Sequence, residues 1–147
     1  MSFTPDMFGG DVAAAQLLND LSYVSHVWDD LIDKDKERTA TEINDAFERM
    51  LIGIPNNSFF LQHRQNLTPI MYTGIIGFLT ANEMEKSNDT HSLEIAHGLR
   101  YAIGNAAAYA VAATNPRGIA ISILETAWKG WLPERISDYI KEHSHAD

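Results

Sequence analysis

The sequence of 147 residues contains no cysteine, which excludes disulfide bonds, thiolate metal sites and a cysteine nucleophile. Basic residues are also few: 11 Lys and Arg stand against 20 Asp and Glu, so the formal net charge is −9. Nucleic-acid phosphates repel such a chain, and we expect no general nucleic-acid binding. Long apolar runs are missing too. The nearly uncharged stretch 67–81 is shorter than the roughly 20 residues of a membrane span, so no membrane association is predicted.

The N-terminal residues carry no basic cluster followed by an apolar core, so no secretory signal peptide is predicted. We therefore expect a cytoplasmic protein. The chain shows no internal repeat, low-complexity tract or linker, and its length is ordinary for one domain. Residues 1–147 are predicted to form a single domain.

Apolar residues recur at helical spacing along the chain, and the alternation typical of strands is missing. The first helix shows the pattern most clearly, with Leu17, Leu21, Val24, Trp28 and Leu31 on one face. Capping residues, glycines and prolines divide the rest. The sequence predicts an all-α bundle of six to seven helices at about 11–33, 43–52, 59–61, 68–86, 89–114, 117–128 and 134–143. Thr68-Pro69 is a start signal that separates the fourth helix from the third, and Asn88 or Asp89 caps the fifth.

The first helix carries a polar ridge opposite its apolar stripe. On a helical wheel of about 100° per residue, the ridge consists of Asn19, Ser22, His26, Asp29, Asp30 and Asp33. Neighbouring carboxylates repel unless a cation lies between them, and oxygen ligands suit Mg²⁺ or Mn²⁺. The ridge thus predicts a metal site at Asp29, Asp30 and Asp33. The alternative is an ordinary solvated face.

The predicted fifth helix is apolar or small on most sides, with a polar stripe of Glu94, His97, Tyr101 and Asn105. Arg100 lies beside it and offers a cation for a phosphate group. Because buried polar groups need partners, this stripe predicts a ligand site if it faces the ridge of the first helix. The alternative is an internal hydrogen-bond network without a ligand.

Asp29-Asp30-Leu31-Ile32-Asp33 resembles the Asp-Asp-x-x-Asp motif of the all-α isoprenoid (terpenoid) synthases. In that family the motif holds Mg²⁺ against a substrate diphosphate. The resemblance implies a terpenoid-synthase-like bundle in which the three aspartates are metal ligands. It covers one helix, and in the family's second metal motif Asn88 and Ser92 match while Ala96 replaces the glutamate.

Two further resemblances are local. Glu94 and His97 match one Glu-x-x-His pair of the carboxylate-bridged di-iron bundles, which need two such pairs. The stretch 22–36 resembles a run found in small all-helical proteins encoded by tailed bacteriophages. That resemblance implies a source and an architecture, with the host cytoplasm or the virion as location, and no particular activity.

Two functions follow, and the sequence leaves open whether the protein is an enzyme. In the first, Asp29, Asp30 and Asp33 hold a divalent metal while Glu94, Arg100, Tyr101 and Asn105 bind a phosphorylated small molecule. His26 or His97 then acts as general acid or base. In the second, the protein is a non-catalytic virion or assembly component that acts through a protein partner or as a homo-oligomer. The aromatic residues Trp128, Trp131 and Tyr139 are candidate anchors for that contact.

Overall fold

The computed structural model describes residues 2–144, and in this part of the chain the regular structure is helical, without a strand. The predicted all-α class is therefore confirmed. After a 3-10 turn at Pro5–Phe8, the elements are α1 (Val12–Asp33), α2 (Ala40–Glu48), a π-helical turn (Arg49–Gly53), α3 (Ile54–Asn56), α4 (Ser58–Met84), α5 (Thr90–Leu99), α6 (Gly104–Thr114), α7 (Arg117–Trp131) and α8 (Ile136–His143).

Side-chain caps set the helix starts that the sequence predicted. The Asp11 carboxylate accepts a hydrogen bond from the backbone N–H of Ala14 and begins α1. Asp89 caps α5 in the same way. The second helix begins earlier than predicted because Thr39 and Glu42 form a reciprocal capping box.

The predicted break at Thr68-Pro69 is wrong, since α4 continues through Pro69. A proline inside a helix removes one backbone hydrogen bond and costs about 3 kcal/mol. The buried residues Leu67, Phe78 and Ala81 keep one helical register on both sides of the proline. Burial of this face of α4 outweighs the free-energy cost of the proline.

The predicted long fifth helix is also wrong, because a turn at residues 100–103 divides it into α5 and α6. The turn is closed by short-range bonds, such as that from the Gly104 N–H to the Tyr101 carbonyl at 2.8 Å. It packs directly on α4: a Cβ added to Gly74 would lie 2.8 Å from the Cα of Ile103. Close packing has overridden the helix propensity of this alanine-rich stretch.

The chain forms two compact units, one ending at Arg64 and the other beginning at Gln65. In the first, α1 packs against the 3-10 turn, α2, α3 and the π-helical turn. In the second, Ala81, Leu93, Ala96 and Tyr139 form a buried cluster. The single domain inferred from the sequence stays a prediction. No helix within residues 2–144 has the length and hydropathy to cross a membrane.

Candidate functional site

A polar cluster in the second unit centres on Glu85, just after α4. One carboxylate oxygen of Glu85 accepts a hydrogen bond from Nη1 of Arg100 at 2.6 Å and a second from the hydroxyl of Tyr139. The other oxygen lies 3.7 Å from Nε2 of His143. The Arg100 Nη1 also donates to the Asn82 side-chain oxygen at 2.9 Å. We call these five residues the Glu85 cluster.

The Glu85 cluster is largely buried at its centre. The side chains of Glu85 and Arg100 are each 15% exposed, and Tyr139 is fully buried. The Arg100 guanidinium also lies 5.1 Å from the centre of the Phe78 ring. A partly buried ion pair is favourable only when further hydrogen bonds satisfy its polar atoms, and this pair has them on both sides.

His97, a predicted catalytic residue, lies beside this cluster. Its Nε2 donates to the backbone carbonyl of Glu134 at 2.8 Å, and its ring centre is 5.0 Å from that of Tyr139. Nδ1 of His143 donates similarly to the Tyr139 carbonyl at 3.0 Å. One nitrogen of each imidazole is therefore engaged in a hydrogen bond to the backbone, at Glu134 just before α8 or at Tyr139 within α8.

Burial shifts two titratable groups here. Burial, together with the hydrogen bond to the Glu85 carboxylate, raises the pKa of Tyr139 far above its usual range. Burial and the nearby Glu142 carboxylate raise the pKa of Glu134, while His97 and His143 oppose that rise. Tyr139 therefore keeps its proton, and its hydroxyl acts as a hydrogen-bond donor.

The cluster joins the end of α4, the end of α5 and α8 through mutually satisfied groups. It is a network of hydrogen bonds and ion pairs within the second unit. These bonds connect α8 to the ends of α4 and α5, and a ligand site at the predicted stripe stays a prediction.

The raised pKa of Tyr139 predicts a loss of stability at alkaline pH. The folded state retains this proton, whereas an unfolded tyrosine releases it near pH 10. The contribution of the protonated Tyr139 hydroxyl to the free energy of unfolding is complete below about pH 10. Above that pH it falls by about 1.4 kcal/mol per pH unit, until the pKa of the folded state is reached. Urea unfolding between pH 7 and 11 should show this fall in the native protein and not in Tyr139→Phe. The control Tyr72→Phe, at a 64% exposed tyrosine, should retain the native profile, and an equal slope in all three proteins would contradict the assignment.

The other predicted ligand residues do not share this cluster. Glu94 has a side chain 48% exposed and lies 3.5 Å from His91. Tyr101 is half-buried in the turn, 6.4 Å from His97 between ring centres. Asn105 is exposed on α6. The stripe predicted on one helix is therefore divided between α5, the turn and α6, because the short-range bonds of the turn interrupt the α-helical register.

The predicted ridge on α1 consists largely of residues with partners within the first unit. Both Nε and an Nη of Arg38 lie 2.7 Å from the same Asp30 oxygen. Nδ1 of His26 donates to the Ser22 carbonyl at 2.7 Å. Asp29 is half-buried and Asp33 exposed, and both take part in further interactions. The arginine thus supplies at Asp30 the positive charge that the sequence assigned to a metal.

Sequence reasoning missed a second ion pair in this unit. Asp20 is a buried charged residue of α1, and its Oδ1 lies 3.2 Å from Nη1 of Arg49 in the π-helical turn. Gln16 donates to the same oxygen at 2.9 Å, and the Arg49 guanidinium lies 4.1 Å from the centre of the Tyr23 ring. The one signal in the sequence was that Asp20 falls, at about 100° per residue, beside the apolar stripe that contains Leu17 and Val24.

Within residues 2–144, no three His, Asp or Glu side chains form a group suited to a metal ion. Comparison with protein-family models, curated proteins and solved structures finds no match. The resemblances to phage proteins and isoprenoid synthases, the metal site and the phosphate ligand therefore stay predictions. His26 belongs to the first unit and His97 to the second.

Proposed function

We propose that the protein is a non-catalytic assembly component that binds a partner through α2. The observation that carries this proposal is a row of exposed apolar side chains on α2 and the π-helical turn. Ile43, Phe47, Met50 and Leu51 are 37%, 58%, 50% and 55% exposed. We call these four residues the α2 surface.

The α2 surface is exposed because of how this short helix packs. Its buried contact with the first unit is made by Ala46, so the larger apolar residues beside it remain in solvent. Contiguous apolar surface of this kind is typical of interaction sites in folded proteins. The C-terminal aromatics do not offer such a surface, since Trp131 and Tyr139 are buried.

Charge indicates which partner fits the α2 surface. Glu48, which lies one turn before Leu51, is exposed and acidic, whereas Arg49 is engaged by Asp20 and Tyr23. An apolar surface with an acidic rim is complementary to an apolar segment with a basic rim. The expected partner is therefore a basic amphipathic helix, whose apolar side packs on Phe47.

A synthetic amphipathic helix of leucine and lysine tests this expectation, with a leucine and glutamate helix as its acidic counterpart. Fluorescence anisotropy should show binding of the basic peptide and not of the acidic one. Phe47→Ser should weaken binding at least about tenfold, as expected for a central aromatic anchor. Val12→Ser, at a 70% exposed residue of the same unit, is the matched control. Equal binding of both peptides, or no effect of Phe47→Ser, would contradict the proposal.

The predicted metal site requires a separate experiment. Calorimetric titration with Mg²⁺, Mn²⁺ and Zn²⁺ would compare the native protein with the double variant Asp30→Asn, Asp33→Asn. Saturable binding that the variant loses would favour the metal and phosphate hypothesis over an assembly role. The Asp30–Arg38 pair at 2.7 Å is the observation against it, because a metal would have to displace the arginine.

A further inference from the structure

The second unit has an exposed helix face of a different character. From Gln65 to Asn82, α4 contains no Asp, Glu, Lys or Arg, although the chain has 31 such residues (11 + 20) among its 147. One side of this segment, including Gly74, Gly77 and Phe78, packs inside the unit. Its other side is exposed and also uncharged, which is unusual for a solvated helix face.

The exposed side carries a regular apolar stripe. Tyr72, Ile75, Ile76 and Leu79 are 64%, 38%, 43% and 43% exposed. Their spacing of three, four and seven residues places them on one helix face. We call these four residues the α4 stripe. Scattered apolar residues on a surface are ordinary, but a continuous stripe along a helix is the pattern of a helix-packing seam.

The α4 stripe is symmetric about a point between Ile75 and Ile76. If two copies of α4 pack in opposite directions about that point, Tyr72 of each copy meets Leu79 of the other, and Ile75 meets Ile76. A two-fold interface requires such self-complementarity. In a parallel pair, by contrast, Glu83 would lie against its own copy, and like charges in contact are unfavourable.

We propose that a second copy of this chain covers the α4 stripe, with the two α4 helices antiparallel. The charge of −9 makes two copies repel over most of their surface. The repulsion between two copies is weakest at the uncharged exposed side of α4. Electrostatic repulsion therefore opposes self-association least at this side. A partner of opposite charge would gain nothing there from electrostatic complementarity.

The size of the face sets the expected affinity. Residues 65–83 span about 28 Å of helix, and an antiparallel pair of that length buries on the order of 500–600 Å² per copy, at the small end of specific interfaces. We therefore expect a reversible dimer with a Kd in the micromolar range. The contact uses a different unit from the α2 surface, so either proposal can fail without the other.

Sedimentation velocity from about 1 to 300 µM, a range that brackets a micromolar Kd, measures this dimer. The native chain should pass from monomer to dimer, and Tyr72→Lys or Leu79→Glu alone should weaken the dimer at least tenfold. Ile121→Lys, at a 61% exposed residue of α7, is the matched control and should leave it unchanged. Circular dichroism at low concentration checks that every variant is folded.

Mixing the two variants tests the direction of the helices. In the antiparallel dimer, the lysine of Tyr72→Lys meets the glutamate of Leu79→Glu, so an equimolar mixture should regain association to within a few-fold of native. In a parallel dimer these positions do not meet, so mixing would relieve only the like-charge contact of each variant and would form no ion pair. A native chain that stays monomeric throughout, or a mixture that stays dissociated, overturns the proposal. Tyr72-dependent binding of a monomeric chain to phosphatidylcholine vesicles would overturn it in favour of a lipid surface.

Discussion

Replacing Arg100 by methionine is expected to lower the free energy of unfolding by about 2–4 kcal/mol at pH 7. Methionine retains much of the apolar stem of the arginine, so the change mainly removes the charge, the hydrogen bonds and the guanidinium contact with the Phe78 ring. It leaves the Glu85 carboxylate, with a side chain 15% exposed, without its closest cation. A partly buried carboxylate that loses its ion-pair partner keeps the free-energy cost of its desolvation but loses the attraction that offset this cost. Urea denaturation monitored by circular dichroism measures the loss.

A double-mutant cycle identifies the cause of that loss. In a Glu85→Gln background the same Arg100→Met change should cost at least about 1 kcal/mol less, because no charge is left unpaired. Lys86→Met is the matched control, since Lys86 pairs with Glu83 at 2.7 Å but both side chains are at least 70% exposed. Exposed pairs contribute about 0–1 kcal/mol. Strict additivity of the Arg100 and Glu85 changes would show that the pair does not stabilise the fold.

Replacing Gly74 by alanine should destabilise the protein by about 1–3 kcal/mol, although alanine is the better helix former by about 1 kcal/mol. The added Cβ would lie 2.8 Å from the Cα and 3.1 Å from the N of Ile103. Backbone atoms cannot move aside as a flexible side chain can, so α4 and the 100–103 turn would have to separate. Thermal and urea unfolding both report this change.

Gly98→Ala is the matched control for that experiment. An added Cβ at Gly98 meets no atom within 4 Å, so this variant gains helix propensity without a clash. It should be more stable than the native protein, by up to about 1 kcal/mol. If Gly74→Ala were as stable as Gly98→Ala, the close approach between α4 and the turn would be wrong.

The candidate site shows where sequence reasoning succeeded and where it stopped. The polar stripe indicated that His97 lies in an apolar environment, and both His97 and the neighbouring Arg100 are half-buried. Their partners were not predictable from spacing. Glu85 precedes Arg100 by 15 residues and Tyr139 follows Glu85 by 54. Such pairs depend on which helix ends meet, and a helical wheel describes one helix at a time.

The acidic ridge on α1 illustrates the same limit in the first unit. Periodicity placed Asp30 on a polar face, and mutual repulsion among carboxylates called for a positive charge nearby. Spacing within one helix did not indicate that Arg38, eight residues further along, pairs with Asp30. This pair depends on the loop after α1, which begins at Lys34 with a positive φ of 59°, and the metal site stays a prediction.

The sequence by itself determined the all-α class, the start of α1 near Asp11 and the start of α5 at Asn88 or Asp89, because periodicity and capping act within a few residues. Tertiary structure alone decided that α4 continues through Pro69 and that the alanine-rich helix breaks at residues 100–103. In both places, burial and close packing between distant segments outweigh local preferences of about 1–3 kcal/mol. The same packing left the α2 surface and the α4 stripe exposed, and a sequence pattern alone cannot distinguish an exposed apolar face from a buried one.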